Sequence, residues 1–515
     1  MVKKEKSAPS SGLKLNTKRT MIIGFAFFGI LLLWQLYDSW CSRMLTELFA
    51  KAIFELPKDA IPTKAQQSEV SYLVGVVMAL DNVAALIMLP IFGRLSDKTH
   101  TKLGKRMPYI LIGTVVSAIV FPFIPLFFYL NSLVGVIIMM AMILFFMMMY
   151  RNPAVALMPD ITPKPLRSRA NGLINIMGYI GGGIATVLGL VFSLTKFLGY
   201  SYLSNSKYAA MTAEEQAKVT IINPLPEGEG SSYMIVKNAN WCTGNVWAIM
   251  LPFIIASVVM LISLAILLWK IRENQLAEEL AEDMKKGEEE AEVVDKVEED
   301  ENAKMSKANK ITLWLILIAE FLWFMSSNAV STFQTNYFTI AVGKEFEFSS
   351  IITILGGVGS ILGFIFAGRI ADMIGRKWTV SIGLMGVVLG YLIFCFTPLF
   401  GKALEAMLII IWIINGFSFA LVHTNSFPMV VELCPSSKIG RFTGYYYASS
   451  MAAQTITPIL LGLLVKAMPE SGYHVLPYYA TILTGASLAV FLFVKNAKVG
   501  RLGTKKGIEA LGADD

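Results

Sequence analysis

The chain has 515 residues, 55% of them hydrophobic and only 16% charged, and a net charge of +7. A soluble core cannot bury that much apolar surface, so lipid must cover it and a water-soluble globular class is excluded. The positive charges sit in short clusters between apolar stretches, as topology signals do, and nucleic acid is not an expected partner.

A basic tail, 1–19, precedes an apolar stretch that lacks a small-residue cleavage site and is too long for a signal peptide, so it is expected to remain as a helix. Stretches long enough to cross a bilayer are predicted at 20–48, 69–95, 107–129, 132–158, 168–195, 246–270, 310–340, 349–371, 378–399, 404–431, 440–466 and 474–494. Lys and Arg recur in alternate connections, at 3–19, 94–106, 164–169, 369–377, 438–441 and 495–506. This bias places both termini in the cytoplasm and requires an even number of crossings. The expectation is an all-α, multi-pass protein of the cell inner (plasma) membrane, with twelve transmembrane helices in contact with the lipid bilayer. It divides into an N-terminal bundle, 20–270, a charged cytoplasmic linker, 271–309, a C-terminal bundle, 310–494, and a cytoplasmic tail, 495–515.

The linker contains EEAEVVDKVEEDE and reads as a solvated helix or disordered joint. The polar segment 196–241, with Pro224 and Pro226, reads as a solvated external loop, with a lid as the alternative. Cys41, Cys242, Cys395 and Cys434 show no CxxC spacing and are expected to be packing residues. No cofactor or metal is expected. A P-loop, HExxH, GxSxG or Cys/His cluster is missing from the sequence, so an enzyme is not expected either.

The two bundles repeat one another. Gly93-Arg-Leu-Ser-Asp97 leads into a basic turn after the second stretch, and Gly368-Arg-Ile-Ala-Asp372 leads into Met-Ile-Gly-Arg376-Lys377 after the eighth. Asp160 precedes Arg169 by nine positions and Gly172 by twelve, and Glu432 precedes Arg441 and Gly444 by the same distances. Offsets of 275 and 272, in the same order, point to duplicated six-helix bundles, which suit alternating access.

The Gly-Arg-(Leu/Ile)-x-Asp pattern with its basic, glycine-containing turn resembles the signature of the major facilitator superfamily, and GRIADMIGRK is close to the family pattern. The longer first copy, GRLSDKTHTKLGKR, is similar to the sugar branches that include the glycoside-pentoside-hexuronide symporters and the plant sucrose symporters. YRNPAVALMPDITPKPLRSRANGLIN and NSFPMVVELCPSSKIGRFTGYYYASS resemble bacterial relatives of the sucrose-transporter branch. The resemblance spans 20–495 and implies a monomeric sugar:cation symporter. It also implies that Asp97 and Asp372 belong to a latch closing the inner gate, with Arg169 and Arg441, Asp160 and Glu432 as counterparts; the alternative is that these charges only fix topology.

Ionisable groups within the stretches cost roughly 2.5 kcal/mol or more unless paired or hydrated. They are Asp38, Arg43, Asp81, Arg151, Glu320 and His423. Asp81 and Glu320 fall near mid-depth. Asp38 and Arg43 lie closer to the outer face, where Arg43 is expected to snorkel to water. The 272-position offset brings Arg151 onto His423, so the halves present a quasi-symmetric pair that can donate to sugar hydroxyls or pair with the carboxylates; a histidine merely packed between helices is the alternative.

Trp34, Tyr37, Asp38 and Cys41 share one helix face, and Glu320, Phe324, Asn328 and Ser331 form a second stripe near Trp323, Gln334 and Asn336, with Asn425 and Gln454 adding amides. Aromatic faces suit the C–H faces of sugars, while carboxylates, amides and guanidinium suit their hydroxyls. Substrate contacts are therefore expected from Trp34, Tyr37, Asp38, Arg151, Trp323, Asn328, His423 and Asn425. The bland alternative is that the aromatics are lipid-facing belt residues and the amides tie helices together. Gly178, Gly181, Gly182, Gly183 and Gly189 are expected to let helices pack closely.

The function these features imply is proton-coupled uptake of a di- or oligosaccharide or glycoside. Efflux of amphipathic compounds and a non-transporting sugar sensor are the alternatives. The resemblance to sodium-using melibiose permeases implies two carboxylates on the second helix and one on the fourth, but Ala85, Leu89 and Arg151 stand there, so a Na+ shell of that type is not expected. A proton needs one carboxylate. Asp81 is the first choice, with Asp38 and Glu320 in reserve; an Asp81 held permanently ionised by Arg151 is the structural alternative.

Overall fold

The computed structural model describes residues 13–163, 166–204, 208–223, 233–237, 240–296, 307–342, 346–396, 401–431, 433, 439–468 and 472–494. Glu432 and Cys434, and the side chains of Arg169, Asp372 and Arg441, lie outside the described residues. Twelve described helices are long and apolar enough to cross a membrane: α1 (Thr17–Ile53), α2 (Lys64–Lys98), α3 (Met107–Tyr129), α4 (Leu133–Asp160), α5 (Leu173–Leu198), α6 (Val246–Lys270), α7 (Lys307–Ala341), α8 (Phe348–Ala371), α9 (Arg376–Cys395), α10 (Met407–Val430), α11 (Gly444–Ala467) and α12 (Gly472–Leu492). Helices are the form such stretches must take, because hydrocarbon offers no partner to an unpaired backbone group. Polar residues close their ends: Asn16 caps α1, a Thr63–Gln66 capping box starts α2, Ser132 caps α4 and Asn245 caps α6.

The helices form two halves, α1–α6 and α7–α12, related by an approximate two-fold. Within them α1 packs on α5 and α7 on α11; between them α2 crosses α11 and α5 crosses α8. At the α1–α5 crossing a side chain on Gly181 would place its Cβ 2.3 Å from the Phe28 carbonyl oxygen, so only glycine lets the helices meet. Gly183, expected to act in the same way, has open space beside it.

An even number of crossings brings the start of α1 and the end of α12 to one side, termed here the terminal face. On the opposite, far face the halves are joined. Asn336 of α7 donates to Ser42 (3.3 Å) and Thr46 (3.1 Å) of α1 and to Tyr473 (3.4 Å). Ser71 of α2 donates to the Gly462 carbonyl of α11 (2.7 Å), and Lys64 to that of Ala341 (3.4 Å).

Three parts depart from the sequence expectations. Helix α1 continues to Ile53 instead of ending near 48, because its last charged residues are covered by protein. Arg43 does not snorkel: it is 3% exposed, paired with Glu47 at 3.3 Å, and accompanied by Lys51 at 3.4 Å from the same carboxylate. The cover is the polar segment between α5 and α6, which is no mere solvated loop. It folds into strands β1 (Tyr200–Ser204), β2 (Thr220–Asn223) and β3 (Tyr233–Lys237), antiparallel in the order β1-β3-β2. The Tyr200 hydroxyl donates to Glu47 (2.6 Å) and accepts from Arg43 (3.2 Å). Tyr202 donates to the Pro62 carbonyl (2.5 Å) and accepts from Gln67. Burial, with Glu47 adding to it, pushes the Tyr200 hydroxyl well above its ordinary range, so it stays a donor. The third departure is the start of the linker, a helix over Glu273–Glu279 that is docked on the terminal face.

Candidate functional site

Helix α1 turns Trp34 and Tyr37 to the same side, and their rings stack with centroids 6.0 Å apart. Arg151 of α4 lies over Trp34, its guanidinium carbon 5.5 Å from the ring centroid. Asp38, one helical step beyond Tyr37, and Asp81 of α2 both act electrostatically on Arg151 and on one another. Among the described residues neither carboxylate makes a direct ion pair with Arg151, so the guanidinium keeps donors for another partner. Asp38 was expected near the outer face; its interactions place it with the mid-depth charges. Tyr37 is fully buried, and its hydroxyl has no hydrogen-bond partner among the described residues.

Asp81 Oδ1 accepts from both the backbone N–H (2.5 Å) and the side-chain amide (2.6 Å) of Asn82. The same amide reaches the Gln454 carbonyl of α11 at 3.4 Å, so the carboxyl is one residue from the junction of the halves.

The second half repeats the arrangement in altered form. His423 of α10 stacks on Phe419 (centroids 5.8 Å apart) and meets Phe364 and Trp323 edge-on, both at 6.1 Å. In each half a tryptophan of the first helix therefore stands against the basic residue of the fourth. Phe364 also meets Tyr179 of α5 at 5.5 Å, closing an aromatic bridge between the halves. His423 keeps solvent-accessible area beside these rings.

Glu320 borders the second cluster through Trp323. It is 4% exposed and lines a cleft with Trp323, Ser426 and Ser487; among the described residues both its carboxyl oxygens lack a partner, as does the Trp323 indole N–H. Tyr446 and Tyr447 of α11 lie within its electrostatic reach. Asn328 is half-buried, with its amide oxygen unpartnered. Asn425 is buried and donates one amide hydrogen to the Leu421 carbonyl of its own helix (2.9 Å). Gln334 and Asn336 are likewise occupied, Gln334 by Ser349 and Thr353 of α8 and Asn336 by the far-face joint.

On the terminal face the carboxylates converge on a residue the sequence did not single out. Arg106, at the start of α3, binds Asp97 of α2 and donates to Asp160 of α4 (2.8 Å), which Lys105 also approaches (3.1 Å). Both expected latch carboxylates with described side chains are thus held inside their own half. Burial opposes the Arg106 charge, but Asp160 and then Asp97 outweigh it and raise the guanidinium above its ordinary value. Arg106 closes the first signature copy, GRLSDKTHTKLGKR, but the sequence reading assigned its charge to topology and gave it no contact with Asp97 or Asp160. Among the described residues no three acidic, histidine or thiol side chains converge as a metal ion would require.

Twelve membrane-crossing helices in two related halves, with charged and aromatic groups gathered between them, define an integral membrane transporter rather than an enzyme. The family model of the Major Facilitator Superfamily matches residues 59–186 and 316–511, and the chain belongs to that superfamily. Comparison with curated protein sequences gives no match. Among solved structures, a D-xylose–proton symporter is similar with a TM-score of 0.58 at 16% identity, covering 94% of this chain and 99% of its own. The inward-open xylose transporter XylE from E. coli gives 0.56 at 14% identity, covering 94% and 96%. A point mutant of the nucleoside transporter NupG gives 0.52 at 14% identity, covering 92% and 99%. At these identities the likeness speaks for the fold.

Proposed function

We propose that the protein is a proton-coupled sugar symporter that takes up a di- or oligosaccharide or glycoside by alternating access, with the terminal face in the cytoplasm of a cell whose inner membrane it spans. The observation that carries this reading is the Arg151–Trp34 contact beside Asp38 and Asp81. It offers an aromatic face, a fork of donors and two acceptors, the set a pyranose ring and its hydroxyls require. His423, with Trp323, faces the same sugar from the second half. Asp81 carries the proton, with Asp38 and Glu320 as reserves: an unpaired carboxylate at mid-depth is expensive, and a proton relieves it. The Asp97 and Asp160 contacts on the terminal face support a latch role for these residues, with Arg169, Asp372, Arg441 and Glu432 as the remaining members.

Counterflow in proteoliposomes against a panel of labelled mono-, di- and trisaccharides tests the substrate. Exchange of another solute class with every sugar inert would sink the sugar assignment. Uptake should acidify the lumen, ignore sodium and collapse with a protonophore. Asp81→Asn should abolish uphill accumulation while sparing equilibrium exchange, because exchange needs no net proton release. Full proton-driven accumulation by that variant would overturn the coupling role. The aromatic ring around His423 also suits amphipathic cations, so hydrophobic competitors belong in the panel; displacement by them but not by sugars would favour efflux.

A further inference from the structure

One buried carboxylate fastens the interhalf linker to the terminal face of the first half. Glu273 is 4% exposed and accepts from the backbone N–H groups of Lys105 (3.1 Å), Arg106 (2.9 Å) and Met107 (3.1 Å). These are the last amide of the turn, the N-cap amide and the first amide of α3, which have no partner within the helix and lie where an anion is favoured. Asn274 adds bonds to the carbonyls of Thr101 (2.9 Å) and Lys102 (3.3 Å). The turn is shaped to receive the carboxylate: Gly104 has φ +117°, and a Cβ there would come within 2.2 Å of Glu273. Arg106 is thereby held twice, its backbone by Glu273 and its guanidinium between Asp97 and Asp160.

We infer that Glu273 is a positioning residue of the transport cycle: by fixing the backbone at 105–107 it aims Arg106 and keeps Asp97 engaged within its own half while the far face is sealed. The inference rests on the alternating-access reading above. A sealed far face goes with a parted terminal face, so this engagement favours the terminal-open state. Releasing Arg106 frees Asp97 to find a partner across the cleft, which favours the terminal-closed state. The linker then reports to the gate instead of only tethering the halves.

The test is the distance between spin labels at Lys98→Cys and Met373→Cys, exposed positions on the terminal ends of the two halves, in full-length protein lacking the native cysteines and held in lipid nanodiscs. Glu273→Gln keeps the shape and one acceptor oxygen but removes the charge. It should raise the ratio of the short-distance to the long-distance population about fivefold or more, the lower end of coupling between linked sites. Arg106→Gln should give the same shift, and the double variant no more than the larger single effect. Gly104→Ala, which displaces Glu273 without removing it, serves as the second route should Glu273→Gln fail to fold, and must shift the distances in the same sense. An unchanged distribution with only lowered thermal stability, or additive effects of the 273 and 106 changes, would overturn the inference. Failure of wild-type protein to exchange any solute would count against the transport reading alone, because the distances are measured without substrate.

Discussion

Tyr200→Phe isolates what holds the far-face sheet to the membrane bundle. The ring remains and keeps its contact with Tyr202, whose centroid is 5.8 Å away, while the hydroxyl between Glu47 (2.6 Å) and Arg43 (3.2 Å) is lost. Both partners are charged and buried, so each bond is of the charge-assisted kind, worth roughly 1.5–3 kcal/mol. The Arg43–Glu47 pair survives, which avoids the larger penalty of a buried charge left alone. A net loss of about 2 kcal/mol should make opening of the sheet about 30-fold more frequent. Local opening is read directly by amide hydrogen exchange. The amides of β3, Tyr233–Lys237, which pair with both neighbouring strands, should exchange about 30-fold faster, with the amides of α3 and α9 unchanged. Unaltered exchange in β3 would show that the hydroxyl does not anchor the sheet and would refute the reasoning.

Gly75→Ala adds a methyl that would stand 2.0 Å from the Pro458 carbonyl oxygen across the α2–α11 junction, where backbone cannot yield as a side chain would. The halves should part on the far face, and a cysteine at Thr335, in the far-face cleft between the halves, should react with an impermeant maleimide roughly tenfold faster, as overpacking by 1–3 kcal/mol requires. Arg151→Lys keeps the charge but loses the guanidinium over Trp34 and its donor fork, so half-saturation in counterflow should rise roughly tenfold with little change in maximal exchange. Equal affinity in the two proteins would remove Arg151 from the substrate site.

Apolar length alone was enough to locate all twelve crossings, because a bilayer imposes one dimension on every helix. Helix periodicity likewise put Trp34, Tyr37 and Asp38 on one face, and the internal repeat brought Arg151 and His423 to notice together. Periodicity says nothing of what a polar side chain finds at the next helix. Asn425 also bonds to the backbone of its own helix; Arg43 looked close to water and lies beneath a sheet whose Tyr200 comes from 157 residues further on. Glu273 and Arg106 escaped for a related reason. Their bond joins positions 167 residues apart, and a carboxylate on three backbone amides leaves no signature in the residues that supply those amides.

The same long-range contacts suggest how a charge at mid-depth can be felt by the whole molecule. The Asn82 amide is shared between the Asp81 carboxyl in the first half and the Gln454 carbonyl in the second. A carboxylate competes strongly for that amide, and a protonated carboxyl competes less, because charge-assisted bonds are roughly twice as strong as neutral ones. Proton loss therefore draws Asn82 toward Asp81 and weakens its grip on α11, at the level where α2 and α11 cross below the tight Gly75–Pro458 contact. Proton gain does the reverse and favours the sealed far face. The coupling proton proposed for Asp81 need not touch the substrate to bias the cycle. It has only to change which half holds a single amide.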